Sequence, residues 1–513
     1  MRICLISREY PPDTGFGGIA TFAHHLASGL TALGHEVEVV ALAKGKAKTV
    51  VEGGIRVHRV ELHQFDGDLG AISLGMPYSC YVLRTATALW EKFYALHCEN
   101  PFDVVDSPEL LAEGVIPAVT KVVPHLIRLY TPHSKFIAEQ LHNVTASFDH
   151  QFVAMLERVA MLFADVITSP SDDLADFVAR DLHLPREKIN IIRNPIDADK
   201  FSSDGNRAIA SDGRPIVLFV GRLEERKGIS YLIKAVPLVV AKCPDVRFVI
   251  VGDDTNNGKG QRSVLAELTE LLSQGGCAQQ VEFVPRVPLD QLADYYRSAD
   301  ICVVPSVYDN SPYTCLEAMS CSRPVIGTSA GGTREYIVHG ESGVIIPPRD
   351  PQAIAESLLQ LLGNEQERRR LGDNARSRVL AKYQRTEIAR QTLDLYRQAR
   401  QSFEQRQHLR VYRKPPGALV ADAEMFLGAY DQMLYDFLYR QSFRFRLSEW
   451  LMMVRKRPRL MLAKMFLRCV KSLLSLTGRT PESVMPALGS MEAELHRKQR
   501  RAQVPAERRS SKV

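Results

Sequence analysis

Asp309 and Glu317 stand eight residues apart in the run 303–335, VVPSVYDNSPYTCLEAMSCSRPVIGTSAGGTRE. The pattern is a short apolar strand ending at Val304, a loop with two prolines and an Asp-Asn pair, and a helix-like LEAM segment. A second apolar run and a Gly331-Gly332 turn into another helix follow. In a β-loop-α-β-loop-α arrangement, ligands bind beyond the carboxyl ends of parallel strands. Both acids then face one crevice, where a carboxylate accepts hydrogen bonds from vicinal hydroxyls, as a sugar offers. The backbone N–H groups between them, from Asn310 onward, precede a helix and carry partial positive charge suited to phosphate. Taken singly, Asp309 also reads as an ordinary loop acid and Glu317 as a surface helix glutamate.

A second cluster lies upstream. GRLEERKG (221–228) follows the apolar strand PIVLFV and puts Arg222 and Lys227 in a loop before a helix that starts near Ile229. Two cations there can neutralise a diphosphate as its charge develops; alone they are equally a solvated surface pair. Near the N-terminus, REYPPDTGFGG follows the strand RICLIS, and Gly15, Gly17 and Gly18 permit close backbone approach to a ligand. GFGGIA fits the dinucleotide fingerprint GxGxxA. However, seven residues separate Ser7 from Gly15, and the second strand ends at Ala43-Lys44 with no acid for a ribose, so a nicotinamide site is disfavoured. His133, in YTPHS, follows another strand's carboxyl end, as a site residue or as a hydrogen-bonded structural histidine. Gly252 and the turn at Pro285-Arg286-Val287 end two further strands, where backbone groups can hold a nucleobase. Glu335 is expected only to cap or pair near its own helix start. Asp66-Gly-Asp68 mimics a metal-binding DxD but reads as a chance match, and no metal site or cofactor is expected.

The strand-GR-L-x-KG element, the paired acids followed by EAM and PV, and GGxxE at 331–335 together resemble the donor half of family 4 retaining glycosyltransferases. The resemblance runs from Met1 to about residue 400. It implies the GT-B fold: two Rossmann-like parallel-sheet domains facing a central cleft. It implies transfer of a hexose-type sugar from a nucleoside diphosphate sugar to a carbohydrate or lipid-linked acceptor, with retention of configuration. A donor phosphate oxygen would serve as the base. Arg222 and Lys227 would hold the diphosphate in place of a divalent metal, and Glu317 the ribose. Asp309 and His133 would flank the donor sugar, with Gly17 and Gly18 at its phosphate. The family's first acid is usually Glu; here the shorter Asp309 changes that contact. A nucleotide-sugar 2-epimerase and a non-catalytic nucleotide-sugar binding protein share the pocket and stand as alternatives.

The elements that must position these groups follow an α/β rhythm throughout. Strands are predicted at 2–7, 55–60, 103–106, 125–130, 165–169 and 189–194, and around HEVEVVAL. Helices are predicted at 19–33, 79–98, 109–119, 150–163 and 172–182. A second set of strands covers 215–220, 246–252, 281–285, 301–305, 324–328 and 343–347. Segment 61–78, rich in Gly and polar residues, reads as an acceptor-side loop or a mobile excursion. RNPID at 193–197, a Pro after an apolar strand, and the polar, glycine-containing run 204–213 together read as a linker, giving domains at 1–205 and 206–385, with a crossover helix at 386–400 returning to the first.

At 513 residues, 45% hydrophobic and 24% charged, the chain is of ordinary globular composition and long enough for two or three cores. Nine cysteines without a CxxC pair predict free thiols in a reducing, cytoplasmic setting. The net charge of +6 is unevenly spread: residues 401–513 carry 22 Lys and Arg against 10 Asp and Glu. In that basic helical extension Lys464, Arg468 and Lys471 share one helical face beside apolar neighbours. Residues 455–476 read either as an amphipathic anchor on the inner, anionic membrane face or as a helix packed on the enzyme. No nucleic-acid-reading motif accompanies the charge. The end, 490–513, is expected to be disordered.

Overall fold

The computed structural model describes residues 1–405 except 16, 65–75, 140–146, 257 and 259–261. The Asp66-Gly-Asp68 triplet, most of the 61–78 loop and nearly all of the basic extension, including 455–476, lie outside the described residues.

Near-continuous apolar runs form the strands because parallel strands covered on both faces have no solvent side to serve. The first sheet holds β1 (Arg2–Ile6), β2 (Glu36–Leu42), β3 (Lys48–Glu52), β4 (Ile55–Val60), β5 (Val104–Pro108), β6 (His125–Arg128), β7 (Val166–Ser169) and β8 (Ile189–Ile191). Its order is β3-β4-β2-β1-β5-β6-β7-β8, parallel except for the β3–β4 pair. That hairpin is absent from the sequence-based expectation, because KTVVE is largely exposed and carries no apolar run to announce it. The second sheet holds β9 (Ile216–Val220), β10 (Arg247–Val251), β11 (Val281–Val284), β12 (Ile301–Val304), β13 (Val325–Thr328) and β14 (Val344–Ile346). Its order is β11-β10-β9-β12-β13-β14, and every pair is parallel.

In each sheet the strand order reverses once beside the opening strand: between β1 and β5, and between β9 and β12. There the outgoing loops diverge and leave a crevice. The loop after β9 carries GRLEERKG and the loop after β12 carries Asp309, so topology alone makes neighbours of segments about 80 residues apart in sequence.

Three expectations change in detail. The helix predicted over 109–119 is a 3-10 turn at Leu110–Ala112 and a short helix at Val115–Thr120, interrupted by positive φ at Leu111 and Ala112. The crossover helix expected at 386–400 runs longer, over Arg385–Gln405, and follows a separate helix, Glu365–Lys382. At the break Ile196 N–H donates to Tyr383 O (2.8 Å) and Arg385 N–H to Ile196 O (3.1 Å), so both chain crossings between the halves lie side by side. The outgoing crossing therefore lies in the RNPID part of the expected linker, ahead of the polar run 204–213. Ile196, Ala198 and Phe201 already belong to the second half's core, and 204–213 is pinned there by Arg297 Nε on Asn206 O (2.7 Å). The returning helix buries Ala389, Leu393 and Tyr396 against the helix Gly18–Ala32 and the first sheet. Any Cβ at Gly29 would fall 2.4 Å from Arg385 O. Tyr396 anchors it by a 2.8 Å hydrogen bond to buried Asp106.

Candidate active site

The carboxyl ends of both sheets open on one cleft of about 750 Å³. Its walls include Gly17, Gly18, Gly252, Val287, Arg222, Lys227, Asp309, Asn310 and Glu317. His133 is not on that wall.

The β9 loop turns at Gly228 (φ +71), where a Cβ would overlap Pro305 O at 1.8 Å; only glycine allows the β9 and β12 loops to touch so closely. That contact brings Lys227 to Asp309, Nζ to Oδ2 2.5 Å, with Arg226 3.6 Å from the same oxygen. Burial pushes the Asp309 carboxyl up, but Lys227 and then Arg226 outweigh it and hold it below its ordinary value. Arg222 is the exposed cation of the loop, its side chain 55% accessible and only loosely paired with Glu224 at 3.4 Å. Arg226, not singled out among the sequence candidates, completes the triad. Its position on a single 3-10 turn, Glu225–Lys227, was hidden inside a motif of which only the first and last cations stood out.

Glu317 is buried on the helix Tyr313–Ser320. One oxygen accepts from Tyr296 Oη at 2.8 Å. Burial pushes its carboxyl up to about 7, and the Tyr296 bond only partly offsets this. It reaches the cleft with hydrogen-bonding capacity to spare.

The three glycines of the loop after β1 differ. A Cβ at Gly15 would sit 2.4 Å from Glu9 Cβ, which makes that residue a tight-turn glycine. At Gly17 and Gly18 the nearest atoms, on Glu9 and Tyr313, would be 3.9 Å away. The protein's own packing does not demand Gly17 or Gly18, and the helix they open has no side-chain cap, so its N-terminal amides face the cleft. Gly252 has the opposite reason: a Cβ would meet Gly221 O at 1.9 Å.

His133 is buried behind the first half's wall. Its ring is hydrogen-bonded to Glu157 Oε1 (2.8 Å) and its backbone N–H to Glu157 Oε2 (2.6 Å), and it packs near Tyr78 and His150. Asn310 is at the cleft, but its side-chain amide donates to Tyr130 O and Thr131 Oγ1 of the first half. Glu335 caps no helix of its own half. It accepts from the Asp172 and Asp173 amides (2.9 and 3.1 Å) at the start of the helix Asp172–Leu182 and pairs with Arg193. The expectation of local pairing fails because the partner helix is more than 160 residues away in sequence. Among the described residues no three His, Cys, Asp or Glu side chains cluster as metal ligands, eight cysteines are free, and no helix is long and apolar enough to cross a membrane.

Two parallel-sheet α/β halves sharing a cleft at their strand ends define the GT-B class of glycosyltransferase fold. Residues 16–200 match the model for Glycosyltransferase Family 4 and residues 204–378 that for Glycosyl transferases group 1. The chain is similar to an uncharacterized glycosyltransferase of Methanocaldococcus jannaschii (27% identical, covering 77% of this chain and 98% of the relative). It is also similar to D-inositol 3-phosphate glycosyltransferase of Corynebacterium urealyticum (26%, 77% and 95%) and glycogen synthase of Mycobacterium tuberculosis (26%, 79% and 97%). Among solved structures, sucrose-phosphate synthase from Thermosynechococcus elongatus superposes with a TM-score of 0.62 at 24% identity (77% and 98%). The Anabaena protein HepE, solved with UDP and glucose, gives 0.57 at 18% (77% and 99%). The chain belongs to the family 4 glycosyltransferases and is a transferase enzyme.

Proposed function

We propose that the enzyme moves a hexose-type sugar from a nucleoside diphosphate sugar to a hydroxyl of a carbohydrate or lipid-linked acceptor, with retention of configuration. The observation that carries this reading is the convergence of Arg222, Arg226 and Lys227 with Asp309 and Glu317 on one cleft. Three cations gathered at one edge are suited to the charge that develops on a departing diphosphate. Without ligand, Lys227 is neutralised by Asp309, and Arg226 lies between Glu224 (2.9 Å) and Asp309 (3.6 Å); a pyrophosphate would compete for Lys227 and leave the Asp309 carboxylate free for sugar hydroxyls. Glu317 has the spare oxygen a ribose requires, and the amides at Gly17 and Gly18 a place for a second anionic edge. Anabaena HepE, which shares the fold, has been solved with UDP-glucose. His133 would act on the donor only through a change in its surroundings.

The test is incubation with UDP-glucose, ADP-glucose and GDP-mannose, with and without an acceptor panel of inositol phosphate, glucans and lipid-linked sugars. Release of the nucleoside diphosphate that depends on acceptor supports the proposal. Interconversion of donor without acceptor would instead establish an epimerase. For the extension, we propose attachment of 455–476 to an anionic membrane surface on the basic, amphipathic spacing alone. Equal sedimentation with anionic liposomes by the full chain and by a chain ending at residue 400 would dismiss it.

A further inference from the structure

The short loop after β12 is gripped from both sides by alternate residues. Asp309 turns back to Lys227 and Arg226 of its own half. Its neighbours reach into the first half: Tyr308 Oη lies 3.0 Å from Asp173 Oδ2 while also meeting Asn310 Oδ1 of its own loop, Asn310 Nδ2 donates to Tyr130 O, and Asn194 Nδ2 donates to Ser311 O at 2.9 Å. The Tyr308 ring also lies against Lys135, whose Nζ sits 4.5 Å from its centroid. Lys135 is an unusual residue to spend here. Its side chain is 3% exposed, paired with Glu139 at 2.8 Å, 3.7 Å from Asp173, and packed over the Phe177 ring at 4.4 Å. Burying an ammonium is costly unless it is paired, and pairing it with acids and two aromatic faces makes a rigid socket. Tyr308 fills that socket.

We propose that Tyr308, held by Asp173 and Lys135 of the first half, is a positioning residue that fixes the Asp309 carboxylate on the donor, so that the donor loop is set by contact with the opposite half. This inference rests on the reading of Asp309 as a donor-sugar contact. A carboxylate misplaced by an ångström loses much of its value to a transition state, whereas the diphosphate cations, rooted in the β9 loop, would bind nucleotide regardless. Tyr308→Phe keeps the ring and deletes one hydroxyl, with its contacts to Asp173 and to Asn310 of the same loop; Asp173→Ala removes the contact to the first half alone.

With whichever of UDP-glucose and GDP-mannose is turned over, Tyr308→Phe is expected to lower kcat about tenfold while donor KM stays within about twofold. Asp173→Ala should reproduce the loss, and Asp173→Asn, which retains an acceptor oxygen, should restore most of it. The decisive arm is the cycle with Asp309→Asn: in that background Tyr308→Phe should cost less than about twofold, because its effect runs through the missing carboxylate. Losses that simply multiply, or an unaltered kcat in Tyr308→Phe, would overturn the coupling. Wild-type turnover by Asp309→Asn alone would instead overturn the donor-site reading. Amide exchange over 306–312 gives a readout without turnover: faster exchange there in Tyr308→Phe, at an unchanged melting temperature, is expected. Identical exchange would count against the proposal.

Discussion

Both halves of the molecule place buried glutamates behind the cleft, and they use them differently. In the first half Glu157 is fully enclosed, with its oxygens spent on the Leu111 and His133 amides and the His133 ring, while Glu109 spends both of its oxygens on the Tyr130 amide. In the second half Glu317 gives one oxygen to Tyr296 and keeps the rest of its capacity for the cleft. A buried carboxylate whose acceptors are all taken is scaffold; one left partly unsatisfied at a cavity wall is available to a ligand. The same contrast separates His133, held in place by Glu157, from Arg222, exposed and loosely paired.

The sharpest way to break this comparison is at the cations. Arg222→Ala combined with Lys227→Ala should lower turnover by roughly two to three orders of magnitude, the scale of lost transition-state charge stabilisation, in a steady-state transfer assay. Next in size is the scaffold side. Glu157→Ala strips the acceptor from two buried amides and should cost about 2–4 kcal/mol in a denaturant melt, whereas Glu317→Gln, able to keep the Tyr296 bond, should melt close to wild type. The smallest effect is a pH dependence. Because burial raises the Glu317 carboxyl to about 7, the folded form holds its proton more tightly than the unfolded chain. The stability this contributes is present at low pH and is lost as pH rises through about 7. The melting temperature of wild type should therefore fall relative to Glu317→Gln over that window; a constant difference would mean that Glu317 does not titrate there.

The sequence was most readable where chemistry and topology shared a local motif. GRLEERKG and the Asp309 to Glu317 spacing each lie on one loop-helix turn, and a parallel sheet makes them neighbours without further information. Arg226 escaped because a one-turn 3-10 helix leaves no periodicity to read. The roles of Glu335, Asn310 and Tyr308 escaped for a stronger reason: their partners lie on the other half, some 130 to 180 residues away, and no local pattern encodes such pairs. His133 was found at a strand's end as expected, but its burial against Glu157 depends on the helix Phe148–Phe163, which the YTPHS motif does not contain. The β3 hairpin was lost in an exposed segment, where composition and structure are only loosely tied.

The most direct test of the central claim is calorimetric titration of UDP, GDP and ADP into the full chain and into the Arg222→Ala, Lys227→Ala variant. Saturable binding of at least one nucleotide to the native protein, weakened tenfold or more in the variant, is the expected result. Equal affinity in both proteins would contradict a cleft in which these cations hold the diphosphate.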